Sequence, residues 1–72
     1  MKLYDFVASV VLQGNIRLSL WRDDTEIVLS TWEDCEQLFT GELEEEWEDL
    51  EITYIFCASD GYLHIEVKED DD

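Results

Sequence analysis

The N-terminal segment has apolar side chains at the spacing of one helical face. They recur at i, i+3, i+4, i+7 and i+8: Leu3, Phe6, Val7, Val10 and Val11. Gly14 supplies a stop for such a helix. A strand is the alternative, because valine is β-branched and Gly14-Asn15 could turn a hairpin. The pattern favours a helix, and helix versus strand for residues 3–12 stays open.

Between residues 16 and 32 the apolar positions alternate with polar ones, as in strands. A turn at Asp23-Asp24 would place Leu20 opposite Ile27 and Leu18 opposite Leu29. A first hairpin is therefore predicted, with one apolar face.

The same register puts Trp21 and Trp32 on the polar side of the first hairpin. Either a second layer covers them, such as the acidic connection described below, or they form an exposed aromatic patch or the contact of a homodimer.

The last part of the chain carries a strong two-residue turn signal, Asp60-Gly61. If the two strands pair outward from this turn, one face of the hairpin holds three apolar pairs: Ala58 with Leu63, Phe56 with Ile65, and Tyr54 with Val67. The other face then holds Cys57 with His64, Ile55 with Glu66, and Thr53 with Lys68. A second hairpin with Phe56 and Ile65 inward is predicted.

The connection between the hairpins contains two stretches with helical spacing. Ser30 and Thr31 precede Glu33 and Asp34 as in a capping box, which predicts a short helix there. Its apolar residues would be Trp32, Cys35, Leu38 and Phe39. The second stretch comprises Leu43, Trp47 and Leu50, and we interpret Trp47 as a core anchor; if exposed, it would be an interface hot spot.

These elements predict an α+β fold: an N-terminal helix packed on a four-stranded antiparallel sheet made of two hairpins, with a helical or loop-rich acidic connection. The length of 72 residues fits one domain, which we place at residues 1–68. Residues 69–72 read as a disordered acidic tail.

The net charge of the chain excludes several classes of binding partner. Twenty acids against four bases give a net charge of -16, which repels nucleic acids and anionic membranes. We therefore expect no direct nucleic-acid binding and no membrane binding. Nothing in the sequence resembles a secretion signal or a membrane span, and a cytoplasmic location is expected.

The residues needed for catalysis or metal binding are scarce. The single histidine, His64, has no second base beside it, so no catalytic residues are assigned and the chain is expected not to be an enzyme. Cys35 and Cys57 read as free thiols, and they are too few for a structural metal site. The Asp-rich stretches lack the frame of a calcium loop. No metal and no cofactor are expected.

The acids are concentrated in one stretch, which we call the acidic segment (residues 42–51). Seven of its ten residues are acidic, namely Glu42, Glu44, Glu45, Glu46, Glu48, Asp49 and Glu51. Like charges at i, i+4 oppose a helix rather than support it, so folding does not explain the pattern. If helical, the segment would show one charge per about 2 Å, close to the density along duplex DNA.

In size, charge and acid-rich segments the chain resembles the small acidic DNA-mimic proteins of phages and mobile elements. Those proteins occupy the nucleic-acid groove of restriction, CRISPR or other DNA-binding proteins. The resemblance is one of class and carries no shared motif. It implies an inhibitor of anti-CRISPR or anti-restriction type, whose acidic segment binds a basic, nucleic-acid-binding protein.

The alternative is an acidic adaptor or regulatory protein that binds a basic protein patch without imitating DNA. A charge run that serves only as a solvated face is a third interpretation. A net charge of -16 exceeds the magnitude of about 2 to 8 that keeps a small domain soluble, which favours a binding surface.

Overall fold

The computed structural model describes residues 1–69. It contains one α-helix and four strands: α1 (Leu3–Ser9), β1 (Gly14–Arg22), β2 (Thr25–Cys35), β3 (Glu51–Cys57) and β4 (Leu63–Lys68). Two single-turn 3-10 helices, Thr40–Glu42 and Glu45–Trp47, lie between β2 and β3. The predicted α+β class with an N-terminal helix and a four-stranded sheet is confirmed.

The sheet is mixed, so the prediction of a purely antiparallel sheet is wrong. The strand order is β2-β1-β4-β3, and β1 pairs with β4 in parallel. The inner strands β1 and β4 hold the most deeply buried apolar residues. Since residues 36–50 are long enough to run the length of the sheet, β3 starts at the opposite end from the one where β2 stops, and this makes β4 parallel to β1.

The first hairpin follows the predicted register as far as Val28. Leu20 lies opposite Ile27, and the turn residues Asp23 and Asp24 both have positive φ, which gives a turn matched to the twist of the strands. A bulge at Leu29 then shifts the register by one, so that Leu18 faces Ser30 rather than Leu29.

This bulge turns Trp32 to the core side, opposite Ile16, so its predicted place on the polar side is wrong. The short helix predicted from Ser30 is also wrong, because β2 continues to Cys35 and pairs with β1. Ladder hydrogen bonds to β1 prevail over the local capping pattern.

The second hairpin exists, but its predicted register is wrong by one residue. The loop is Ser59-Asp60-Gly61, closed by the Gly61 amide donating to the Ala58 carbonyl at 3.2 Å, with Gly61 at φ +84°. A three-residue loop of this kind moves every pair by one and exchanges the two faces. Ile55 therefore pairs with Ile65, and Phe56 lies opposite His64 on the other side of the sheet.

The helix is shorter than the apolar spacing predicts. It ends at Ser9, and Val10 is already extended and exposed. The side chains of Leu3 and Val7 are buried in the core, and Phe6 packs beside them. Three β-branched residues near its end lower the helix propensity, consistent with the early stop.

The core lies on one side of the sheet only. It combines strand residues with residues of α1 and the connection: Leu3, Val7, Leu12, Ile16, Leu18, Leu20, Leu38, Leu43, Leu50, Ile65 and Val67. The opposite side of the sheet carries no second layer within residues 1–69. Of the predicted disordered tail, residues 70–72 lie outside the described residues, whereas Glu69 forms an ion pair with Arg22.

Candidate protein-binding site

The acidic segment is held against the core by three of its own apolar residues. Leu43 and Leu50 are buried, and Trp47 is half-buried and packs on the core. They are the only non-acidic residues between Glu42 and Glu51. Because they point inward from a tightly turned backbone, the intervening carboxylates face outward.

The backbone of the segment consists of two 3-10 turns instead of the continuous α-helix that the Leu43, Trp47 and Leu50 spacing suggests. The Trp47 amide donates to the Glu44 carbonyl at 2.9 Å, and the Glu48 amide donates to the Glu45 carbonyl at 3.3 Å. A 3-10 helix rises about 2 Å per residue, so successive charges lie further apart than in an α-helix.

The N-terminus fixes the far end of the acidic segment. The first amides of α1 lack partners inside the helix, and those of Leu3 and Tyr4 donate to the Leu50 and Glu48 carbonyls at 2.9 and 3.1 Å. The Ile52 amide donates to the Met1 carbonyl at 2.9 Å. The sequence pattern gave no signal for these contacts, because they join residues about fifty positions apart.

Five of the seven predicted site carboxylates lie together around one shallow depression: Glu44, Glu45, Glu46, Glu48 and Asp49. All are exposed except Glu48, which is half-buried. Within residues 1–69 none of the five has a hydrogen-bond or ion-pair partner for its carboxylate. The structure thus brings five predicted residues into one uncompensated cluster, which we call the carboxylate cluster.

The other two predicted site residues are engaged inside the molecule. The Trp32 indole Nε1 donates to Glu42 Oε2 at 2.9 Å. Glu51 accepts from the N-terminal ammonium of Met1 and lies 3.9 Å from Lys2 Nζ. These two carboxylates therefore have structural contacts that the other five lack.

An apolar groove adjoins the carboxylate cluster. Trp47 and Leu50 line it from the acidic segment, and Leu20, Ile27 and Leu29 line it from the first hairpin. Glu46, Arg22 and Glu69 lie at its rim. The groove gives this side of the molecule an apolar contact surface beside its densest negative charge.

A second charged group lies at the loop of the second hairpin. Asp60 Oδ2 contacts His64 Nε2 at 2.9 Å and lies 3.9 Å from Arg17 Nη1, and Asp60 Oδ1 accepts from the Tyr62 amide. The hydrogen bond from the Tyr62 amide and the contact with His64 lower the pKa of Asp60 below its ordinary value. The Tyr62 hydroxyl donates to Glu33, and this bond raises the pKa of Tyr62.

The structure separates the thiols from the histidine. His64 is buried and stacks on Phe56, with ring centroids 5.1 Å apart. Cys57 pairs with Leu63 instead, so its predicted position opposite His64 is wrong. Both cysteines are free. Within residues 1–69 no three His, Cys, Asp or Glu side chains are arranged to hold a metal ion.

Comparison of the chain with protein-family models, curated proteins and solved structures finds no match. No helix in the described part of the chain is long and apolar enough to cross a membrane.

Proposed function

We propose that this protein is a non-enzymatic, acidic protein-binding domain that imitates nucleic acid toward a basic, nucleic-acid-binding protein in the cytoplasm. The carboxylate cluster supports this proposal most directly. Five carboxylates share one depression, and no described cation neutralises them. Their mutual repulsion opposes folding, so the arrangement is most readily explained by binding.

A basic groove presents Lys and Arg side chains at the positions of phosphates. Carboxylates of similar spacing accept the same charge-assisted hydrogen bonds. The carboxylate cluster is anchored from below by Leu43 and Leu50, so its side chains can be presented without ordering a flexible loop. Inhibition would follow because the groove cannot hold DNA or RNA at the same time.

The apolar groove beside the cluster favours a second candidate function. An acidic adaptor that binds a basic protein patch would use an apolar contact next to its charges, whereas duplex DNA offers few such contacts in a phosphate-binding groove. In that case Trp47 and Ile27 would contact the partner together with the carboxylates.

Capture from a host lysate at low salt, followed by elution with duplex DNA, separates the two functions. For a mimic, competing DNA should release the captured protein; for an adaptor, DNA should leave it bound. The variant Glu44→Gln, Glu45→Gln, Glu48→Gln, Asp49→Asn removes four charges from the cluster and should capture little.

The matched control removes four exposed charges elsewhere: Asp23→Asn, Asp24→Asn, Glu26→Gln and Glu36→Gln. It should capture as much as the parent. Equal capture by parent and cluster variant, with both folded, would show that the cluster is only a solvated face and would rule out both functions.

A further inference from the structure

Strand β3 forms one edge of the sheet, and most of that edge lacks a neighbour. In the strand order β2-β1-β4-β3, β3 pairs with β4 on one side only. At its start the Ile52 amide donates to the Met1 carbonyl at 2.9 Å, and the register shift between Ile52 and Tyr54 lies beside this contact. Within residues 1–69 no other strand or bridge pairs with the outer side of β3. Residues 54–57 therefore form a free edge, which we call the β3 edge.

The pairing with β4 determines which backbone groups of the β3 edge point outward. The Ala58 amide donates to the Tyr62 carbonyl at 3.1 Å, and hydrogen-bonded and non-hydrogen-bonded pairs alternate along the antiparallel strands from there. Phe56 therefore bonds to β4, whereas Ile55 and Cys57 direct their N–H and C=O groups away from it. Within the described part of the chain these outward groups have no hydrogen-bond partner, so they are available to another strand.

The β3 edge lacks the features that keep sheet edges from pairing with other chains. The edge strand on the other side of the sheet, β2, has such features: a bulge at Leu29 and the acids Glu26, Glu33 and Asp34. Residues 52–59 contain no charged side chain, in a chain of which 33% is charged. Tyr54 is 66%, Ile55 42% and Phe56 43% exposed, so neither side of the β3 edge is covered.

These outward backbone groups specify an extended polypeptide segment as the occupant. Another strand places its own N–H and C=O groups opposite them at a separation of about 4.8 Å, as in strand addition to a sheet edge. A helix cannot do so, because its backbone groups bond within the helix. The side chains of an added strand would alternate between the side of Ile55 and the side of Tyr54 and Phe56.

The two sides of the β3 edge differ in charge, which sets the chemistry of the added strand. The charged residues that line a depression on the side of Tyr54 are three acids and one base: Asp23, Asp24, Glu66 and Lys68. Lys or Arg side chains on this side of the added strand would cross the Tyr54 ring and reach these carboxylates. On the other side, Ile55 and Cys57 offer apolar contacts. An added strand with basic residues on one side and apolar residues on the other complements both.

We propose that the β3 edge binds, by strand addition, an extended segment of a partner protein in which Lys or Arg alternate with apolar residues. A second copy of this chain does not fit this description, because it brings its own net charge of -16 and its residues 52–59 contain no base. The β3 edge is separate from the carboxylate cluster, and the proposal does not rest on the function proposed for that cluster.

Amide hydrogen exchange, measured by NMR with and without a peptide, tests the proposal. The probe is an acetylated octapeptide of alternating lysine and valine. With this peptide at about ten times its Kd, exchange of the Ile55 and Cys57 amides should slow about tenfold, because about a tenth of the protein stays free. Two control peptides, one N-methylated at every amide and one with glutamate in place of lysine, should bind at least about tenfold more weakly.

Ile55→Pro removes one outward N–H and leaves the N–H groups that bond to β4, since proline is tolerated at such edge positions. It should weaken binding of the lysine peptide at least about fivefold, because its ring also obstructs the added strand. The matched control, Val28→Pro, removes an outward N–H from β2, where Arg22 and Thr25 close a two-residue turn and outward groups alternate from there. It should bind the peptide like the parent.

Failure of the lysine peptide to bind at concentrations up to about 5 mM would overturn the proposal. Equal binding of the methylated peptide, equal weakening by Val28→Pro, or slowed exchange at Glu26 and Val28 instead of Ile55 and Cys57 would also overturn it. Slowed exchange of Ile55 and Cys57 on raising the protein concentration without peptide would assign the β3 edge to a second copy and contradict the basic partner. If Ile55→Pro does not fold, the exchange rates in the parent still decide the question.

Discussion

Two neighbouring residues, Leu38 and Phe39, are predicted to respond very differently to replacement by alanine. Leu38 is 1% exposed and its amide donates to the Leu12 carbonyl at 2.9 Å, whereas Phe39 is 58% exposed. The helical spacing in the sequence would have placed both on one apolar face. The structure assigns Leu38 to the core and Phe39 to the surface.

The Leu38→Ala change removes a buried side chain from a small core and should cost about 2 to 5 kcal/mol of unfolding free energy. Phe39→Ala removes a larger side chain that is mostly exposed to solvent, and should cost about 1 kcal/mol or less. A domain of 72 residues has a total stability of roughly 4 to 11 kcal/mol. Leu38→Ala should therefore remove a large share of the total free energy of unfolding, whereas Phe39→Ala should remove little of it.

Urea unfolding, monitored by tryptophan fluorescence and circular dichroism, measures the loss of unfolding free energy in each variant relative to the parent. The backbone amide of residue 38 remains in both variants, so the comparison isolates side-chain burial. Equal losses, or a larger loss for Phe39→Ala, would refute the assignment of core and surface in this connection.

Three further outcomes are expected. Sodium chloride from low to moderate concentration should raise Tm, by roughly 4 to 8 °C if about 1 kcal/mol of repulsion is screened, and a flat or falling Tm would contradict this. The pKa of Asp60 is lowered in the folded protein, so this carboxylate stabilises the fold above its unfolded pKa and ceases to do so as the pH falls through its folded pKa. The difference in Tm between the parent and Asp60→Asn should therefore shrink from about pH 6 to about pH 3. A Tm difference that stays constant over this range would contradict the prediction. The pKa of Tyr62 is raised above its ordinary value of 10.0, so the Tyr62 hydroxyl stabilises the fold below that pH, and this stability is lost as the pH rises through the folded pKa. In thermal melts at increasing pH, Tyr62→Phe should lose less Tm at alkaline pH than the parent. An equal loss of Tm in both proteins would argue against the hydrogen bond to Glu33.

The turn signals in the sequence correctly locate both hairpins, but the length of each loop determines which side chains face the core. Asp23-Asp24 closed a two-residue turn, and the pairing of Leu20 with Ile27 followed from it. Asp60-Gly61 predicts the same kind of turn, yet Ser59 joins the loop and Phe56 moves to the side of the sheet opposite the core. One extra loop residue is enough, because side chains alternate along a strand.

The parallel pairing of β1 with β4 has no local signal in the sequence, since it depends on where residues 36–50 carry the chain. The contacts of Glu42 and Glu51 also lack a signal in the sequence, because their partners Trp32 and Met1 lie 10 and 50 positions away on other elements. Charge density alone could identify the acidic segment. It could not separate its five unpaired carboxylates from the two that are paired.

Salt-dependent affinity tests most directly whether the carboxylate cluster binds a basic partner. Once a captured partner is identified, its Kd is measured over a range of sodium chloride for the parent, the four-charge cluster variant and the four-charge control. The cluster variant should bind more weakly at low salt and show a flatter dependence of log Kd on log salt, while the control should match the parent. An unchanged affinity and salt slope for a folded cluster variant, or an equal loss in the control, would contradict the claim.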